Sequence, residues 1–592
     1  MTARREQLNA DVIVLGSGLG ACAAALAAAR AGRSVILASP HKRLGGQATT
    51  QLVPALDEHP HIETAGVSDS YRTLRELIRA RYGGLANPGG GWVSRLCCEP
   101  WAVEAALAEL LAPFLTDGTL TFVSPAHPVA VRRDGDRVTS IDLRGADGRN
   151  TTVSGEVFCD ATEAGELLPL TGAAWVSGSE GSDAHGESLA LPGGPRPEAV
   201  QSCTVGFVVE LADAGTPSEA GEAPPGYERW WSEQPFGLDI AGWDGRLHRY
   251  RMFTTGPDGH LPFWTYRRLR DASVLGGRDA ALINWSGNDY ADRSSLDEPA
   301  AAYREAKALS RAFLHWLRTA CPRDDGGGRG YPELILAPHI AGTPDGFAQE
   351  PYLRESRRLR TASPVRQQDL EPVAGQARAA SFEDTGGVTF YHMDLHSRVG
   401  HPRSAYAPTA PFQVPLSSLI AGDPVNLLAA AKNLGATQVA ASAYRVHHGE
   451  WAVGEAAGVL AAQSCSRSRT PAALVGDRIE LTALQFLLAR SGVPLVWALD
   501  VPTAHPYFVP VHLLAAAGAL TGTRVKDLHL HPDRLTDGAD RRALHLAAAR
   551  LAREPRTGVL PEPPSGLTWA QTAGALCVAV ERALCTPQTS MS

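Results

Sequence analysis

The chain is predicted to be an α/β protein: a Rossmann-like domain interrupted by a mixed α+β domain and followed by a C-terminal helical region. Three observations predict this. Residues 11–39, DVIVLGSGLGACAAALAAARAGRSVILAS, read as strand, glycine turn, helix, turn, strand. Residues 119–160 alternate apolar and polar positions around Asp134-Gly135 and Asp147-Gly148, as paired strands do. Residues 426–465 return to small apolar residues at helical spacing, and an Ala/Leu-rich stretch begins near residue 470. The boundaries expected are 1–175 with 405–465 for the Rossmann-like domain, 176–404 for the inserted domain, and 470–592 for the helical region.

The first unit carries the most information. The apolar run Asp11–Leu15 ends in Gly16-Ser17-Gly18-Leu19-Gly20-Ala21, and an alanine-rich segment runs on to Arg30. Gly16 permits the sharp turn, Gly18 lets backbone approach a pyrophosphate, and Ala21 lets helix and strand pack closely. A plain core helix after a tight turn leaves three glycines in five residues unexplained, because glycine costs backbone entropy. The second strand, Ser34–Ala38, is followed by Ser39, where an acidic residue usually holds the adenosine ribose. Serine bonds one hydroxyl and cannot clamp two. His41, Lys42 and Arg43 come next, and an uncharged residue before basic ones also suits a 2′-phosphate, so NADP is a second reading of this unit.

Further along, residues 40–60 read as a glycine-containing loop. Residues 64–82 and 100–116 have helical periodicity on either side of the turn NPGGGWVS at 87–94. Residues 175–400 are mixed and rich in Trp and Tyr, with long loops expected over 178–226. The last residues, TPQTSMS, are expected to fray.

A chain of 592 residues is too long for one core. A net charge of −8 leaves no basic footprint for nucleic acid. No stretch is long and apolar enough to read as a membrane span, and the polar start is not a signal peptide. Nine cysteines without a C-x-x-C pair argue against a disulfide framework, a zinc site or a dithiol centre, and for reduced thiols in a cytoplasm.

At Leu44-Gly45-Gly46-Gln47 the sequence resembles the FAD-dependent oxidoreductases of the glutathione-reductase-like group, and the order of its motifs resembles a bacterial family of FAD-dependent oxidoreductases. Cys159-Asp160-Ala161-Thr162-Glu163 looks like the group's second nucleotide motif, and Asn426–Asn433 like the strand that returns to the flavin. Gly454-Glu455-Ala456-Ala457-Gly458 looks like the start of a late helix aimed at the flavin pyrimidine. The segments VPALDEHP (53–60), INWSGNDY (283–290), EPYLRESRRLR (350–360) and YHMDLH (391–396) extend the likeness. The resemblance implies FAD held by Gly45, Gly46, Gln47, Ala161, Thr162, Gly454, Glu455 and Ala457 beside the first glycine turn. It implies hydride removal from a small polar metabolite, with electrons passing to oxygen or another acceptor. A flavin monooxygenase and a non-catalytic flavin-binding protein are the alternatives. A disulfide reductase is disfavoured, since a second G-x-G-x-x-G and a redox cysteine pair are absent.

Such an enzyme needs groups to move a proton beside the flavin. Asp57-Glu58-His59 follows the diglycine closely, which makes His59 a catalytic candidate and Glu58 a substrate-binding one. His392, Asp394 and His396 alternate, so a strand would place all three on one face. They could ligate metal, but alternate strand positions fan out and no fourth ligand is evident, so no metal is expected. Arg445, His447 and His448 precede the late helix. Arg354, Arg357, Arg358 and Arg360 form a basic run whose helical spacing could hold an acidic substrate group, although such a run is more often a solvated face or an internal salt-bridge network. Asn288 is a further substrate-binding candidate. In the C-terminal region, residues 505–552 are similar to S-layer-homology-type helical modules, but Asp537 stands where a basic residue is usual. A packing pair, or homo-oligomerisation through these helices, is the expectation there.

Overall fold

The computed structural model describes residues 6–146, 148–213, 221–233, 236–241, 246–552, 560 and 562–585. At its centre is a five-stranded parallel sheet in the order Leu427–Ala429, Val157–Asp160, Val12–Leu15, Val35–Ala38, Leu120–Val123. The first four of these strands are buried at every position, as expected of a parallel sheet covered on both faces. A second sheet pairs Glu6–Asn9 with Asn150–Ser154 and continues antiparallel through Arg137–Gly145 to Ala126–Asp134. Gly135, at φ 57°, makes the turn at Asp134-Gly135. Asp147 lies outside the described residues.

Helix Leu19–Arg30 follows the glycine turn and lies against the long helix His447–Arg467. The two approach closely because both are lined with small residues. A Cβ on Gly454 would stand 2.1 Å from the Gly20 carbonyl oxygen, and one on Gly458 2.3 Å from that of Ala24. This corrects the expectation for Gly454, Glu455 and Ala457. The late helix begins at His447, about two turns earlier, and these residues sit inside it. Gly454 is a helix–helix contact, Ala457 is core, and Glu455 accepts a hydrogen bond from Ser70 at 2.7 Å.

The helices expected at 64–82 and 100–116 span Asp69–Ala80 and Pro100–Thr116. The first starts late because Ser68 caps it, accepting the Tyr71 N–H. Residues between 203 and 353, joined by Leu52, Val53, Ala55 and Cys97, build a second apolar cluster. Its main sheet is antiparallel, in the order Arg268–Arg270, Ala280–Ile283, Phe207–Leu211, Leu334–Leu336. A smaller one sets Cys203–Thr204 between Asp289–Tyr290 and Tyr352–Leu353, and helix Pro299–Thr319 packs on it.

The basic run at 354–360 is not helical. It joins strands Tyr352–Leu353 and Arg358–Leu359. Arg358 is fully buried between Glu355 (2.6 Å) and Glu180 (2.8 Å), so it is an internal ion-pair residue. The C-terminal helices, among them Arg478–Arg490, Phe508–Leu514, Gly538–Ala552 and Trp569–Cys585, share the apolar core of the parallel sheet. The segment 586–592 lies outside the described residues. No helix among the described residues is long and apolar enough to cross a membrane.

Candidate functional site

The glycine turn sits where strand Val12–Leu15 meets helix Leu19–Arg30. A Cβ on Gly16 would lie 2.0 Å from the Ala161 carbonyl oxygen, so glycine there lets two strand ends cross. Leu19 and Ala21 are buried against the sheet, and Gly20 faces the late segment, 2.3 Å from the Ala430 carbonyl oxygen were it to carry a Cβ. Gly18 is the first residue before the helix, and no side chain caps it. A Cβ on Gly18, or on Gly46 of the diglycine loop, would each meet Glu163 Oε1 at 2.7 Å. Gly45, at φ 113°, needs its glycine for the turn into that loop. The Glu163 carboxylate is bound by Lys432, whose Nζ also lies 3.1 Å from Glu450 Oε1. Thr162 turns its hydroxyl to Asp160 at 2.6 Å.

At the second strand end, Ser39 Oγ bonds the carbonyl and the N–H of His41, at 2.5 and 3.1 Å. His41 bonds Glu350 at 2.6 Å and Arg43 bonds Glu104 at 3.0 Å, so two of the three basic residues are already paired with acids. Farther in, Gln47 Nε2 donates to the Arg445 carbonyl (2.9 Å) and to Glu450 (2.7 Å), which itself is pushed up to about 7 by burial. Gln47 Oε1 and both amide atoms of Gln51 are buried without a partner among the described residues. An uncapped helix start, glycines that leave room for an anionic group, a buried lysine and unpartnered amides fit a ligand that joins a diphosphate to a polar ring, as FAD does.

Beyond Arg445 lies a cavity of about 630 Å³. It gathers Glu58, His59, Arg354, His392, Asp394, His396 and Arg445, which are scattered over nearly 400 residues of sequence. Strand Met393–Leu395 turns Met393 and Leu395 into the core and residues 392, 394 and 396 to the cavity. Aromatic side chains supply much of the wall, including Trp92, Tyr266, Trp285, Tyr352, Tyr391 and Tyr406.

The titratable groups differ sharply. His396 Nδ1 meets Asp289 at 2.7 Å and its Nε2 meets Asp394 at 3.2 Å. Burial and Arg354 oppose its charge, but the two carboxylates prevail and raise its pKa. Asp394 is held well below the usual carboxylate range, since His396 and Arg445 outweigh its burial. His392 stacks between Tyr391 (4.1 Å) and Tyr406 (4.4 Å) and has no hydrogen-bond partner among the described residues. Burial lowers its pKa, so it stands neutral with a lone pair to offer. Arg354 binds Asp289 at 2.8 Å and Thr204 at 2.8 Å. Arg445 binds Tyr352 at 3.0 Å and the Asp394 carbonyl at 2.8 Å. Glu58 is fully buried against Arg75 (2.9 Å) and Tyr71 (2.9 Å).

Two candidates lie elsewhere. Asn288 is fully buried, giving its side chain to the Trp285 N–H (2.9 Å) and Ser310 (3.2 Å), while Asn284 lines the cavity instead. His447 is also outside the cavity, with both ring nitrogens engaged by the backbone of Asp57 and Val53. Sequence reasoning missed the aromatic wall, Arg267, Asp289 and the Glu163–Lys432–Glu450 cluster. Asp289 stood one residue beyond the asparagine that was chosen.

No curated protein matches this chain by sequence. Among solved structures, L-proline dehydrogenase from P. horikoshii aligns at 12% identity over 31% of this chain and 26% of that one, with a TM-score of 0.18. Polycyclic ketone monooxygenase from Thermothelomyces thermophila aligns at 13% over 27% and 24%, TM-score 0.18. A geranylgeranyl bacteriochlorophyll reductase-like protein from Thermoplasma acidophilum aligns at 12% over 37% and 52%, TM-score 0.18. The chain spans about a quarter to a half of the length of these proteins, and scores this low carry no weight on fold or activity. The family described as "FAD dependent oxidoreductase" matches residues 11–486. The chain belongs to the FAD-dependent oxidoreductase family.

Proposed function

We propose that this FAD-dependent oxidoreductase oxidises a small polar, ring-bearing metabolite held in the 630 Å³ cavity, with His392 taking the substrate proton. The observation that carries this reading is the convergence of Glu58, His59, Arg354, His392, Asp394, His396 and Arg445, from four separate segments, on one aromatic-walled cavity. FAD, when bound, supplies the acceptor for a hydride equivalent. Gly16, Gly18, Gly20, Gly46 and Lys432 would hold its diphosphate, and Gln47 and Gln51 its ring edge. His392, neutral and sandwiched by tyrosines, is placed to accept a proton from a substrate hydroxyl or amine. Asp394 and His396, tied to Asp289, hold the strand face on which His392 sits. Arg445 and Arg354 keep polar groups of the substrate oriented. Tyr and Trp faces suit a ring, by stacking on its apolar face.

The parallel sheet with its antiparallel strands at 126–154 supports a glutathione-reductase-like arrangement, in which residues 176–404 cover the substrate. The C-terminal region buttresses the site: Trp497 lies edge-on to His59 with centroids 4.7 Å apart.

The test is anaerobic reduction of the bound flavin by a panel of sugars, amino acids and hydroxy acids, followed by loss of its visible absorbance. Substrate-dependent bleaching that His392→Gln slows, at unchanged flavin content, supports the reading. Bleaching at the same rate in His392→Gln removes His392 from the chemistry. A flavin that no substrate reduces leaves a cofactor-binding protein without this activity.

A further inference from the structure

We propose that Glu163 is a resident anion in the diphosphate niche, so that cofactor binding and the Glu163–Lys432 ion pair exclude one another. The inference rests on the family's FAD being held at the Gly16–Ala21 turn.

Three observations carry it. First, position: Glu163 Oε1 lies 2.7 Å from where a Cβ of Gly18 would be and 2.7 Å from where one of Gly46 would be. Those are the two bare backbone faces that a phosphate needs to reach the uncapped start of helix Leu19–Arg30. Second, charge: Lys432 Nζ, with its side chain 1% exposed, already serves two carboxylates, Glu163 and Glu450. A diphosphate brought to the same ammonium group would sit beside both, and like charges at this range in a buried site repel strongly. Third, freedom: Glu450 is buried and further held by Gln47, whereas Glu163 keeps 14% of its side chain exposed. Glu163 is the one that can rotate out.

The carboxylate therefore occupies the place a diphosphate would take. It pairs with Lys432 beside the uncapped helix start in the apoprotein, and it yields that place to FAD. Glu163 thus weakens cofactor affinity while stabilising the empty protein. Lys432 passes from one anion to the other.

The experiment uses the full chain stripped of flavin and titrated with FAD, read by quenching of flavin fluorescence. Glu163→Gln keeps the shape and removes the charge. It is expected to bind FAD about tenfold more tightly or better, while its apoprotein melts at a lower temperature than the wild type. Lys432→Met is expected to bind FAD about tenfold more weakly. Inorganic pyrophosphate alone should raise the melting temperature of Glu163→Gln more than that of the wild type. Should Glu163→Gln fail to fold, Glu163→Asp, which withdraws the carboxylate by one methylene, should show the same directions at smaller size. If the wild type binds FAD and neither Glu163 variant binds it more tightly, the proposal is overturned and the cofactor assignment stands. If wild type and variants all ignore saturating FAD, both fall together.

Discussion

The backbone N–H of Asp57 donates to His447 Nδ1 at 3.0 Å, and this bond sets the protonation state of the histidine. With Nδ1 an acceptor, Nε2 must carry the proton, and it donates to the Val53 carbonyl at 2.9 Å. His447 is thus a neutral clamp between the loop 53–57 and the first turn of the late helix. Both ring nitrogens are engaged by backbone, so neither faces a substrate.

The clamp makes stability depend on pH. Burial lowers both His447 and its neighbour His448 from 6.5 to about 4. Between those values the unfolded chain binds protons that the folded chain refuses. Stability is full above pH 6.5 and falls as pH drops toward 4, by about 1.4 kcal/mol per pH unit for each responding histidine. Thermal unfolding from pH 7 to 4 measures the slope. His447→Gln, which can still accept and donate, is expected to flatten it, and an unchanged slope would absolve His447.

Replacing His392 by glutamine is expected to cut the rate of substrate-dependent flavin reduction by about 10²–10⁴-fold, the range of a lost general base. The pH profile of the wild type should hold its rate below pH 6.5, because burial lowers the His392 pKa. An acid limb centred above 6.5, or one that persists in His392→Gln, would assign the proton to another group.

Asp289 joins Arg354 and His396, so Asp289→Asn strips one carboxylate from buried Arg354 and half-buried His396. The expected loss is about 3–5 kcal/mol, as for breaking a buried pair. The raised pKa of His396 adds stability below its unfolded value near 6.5, which fades as pH rises through the folded value. Asp289→Asn should lose that alkaline decline along with the stability. Melting curves from pH 6 to 9 for both proteins decide the matter.

The two asparagines of residues 284–288 should separate stability from binding. Asn288→Ala leaves the Trp285 N–H buried without an acceptor, which costs about 1–3 kcal/mol, with KM unchanged. Asn284→Ala, at the cavity wall beside Arg354, should raise KM and leave the melting temperature nearly unmoved. The opposite pattern would return Asn288 to the site.

Much of the nucleotide end was legible because its signals are local. Apolar runs, a glycine triplet and small helical residues act on neighbours a few positions away. The alternation at His392, Asp394 and His396 was equally readable, since a strand turns every second side chain to the same side. The same local logic misled at Gly454–Gly458. Small residues there fit either a ligand or another helix, and helix Leu19–Arg30 took the place. It misled again at Arg354–Arg360, where helical spacing was matched by a chain that instead leaves one short strand, Tyr352–Leu353, and enters another at Arg358–Leu359.

By itself the sequence determined the parallel α/β core, the family and the strand face that carries His392. Each of these rests on periodicity or on motifs within a few tens of residues. Only the tertiary structure decided which polar groups meet: Glu163 with Lys432, 269 positions apart, and Gln47 with Glu450, 403 apart. It alone placed His447 between two backbone groups and left His392 without a hydrogen-bond partner among the described residues. A side chain's protonation depends on its burial and on charges within a few ångströms, and chain crossings that distant have no local period to announce them.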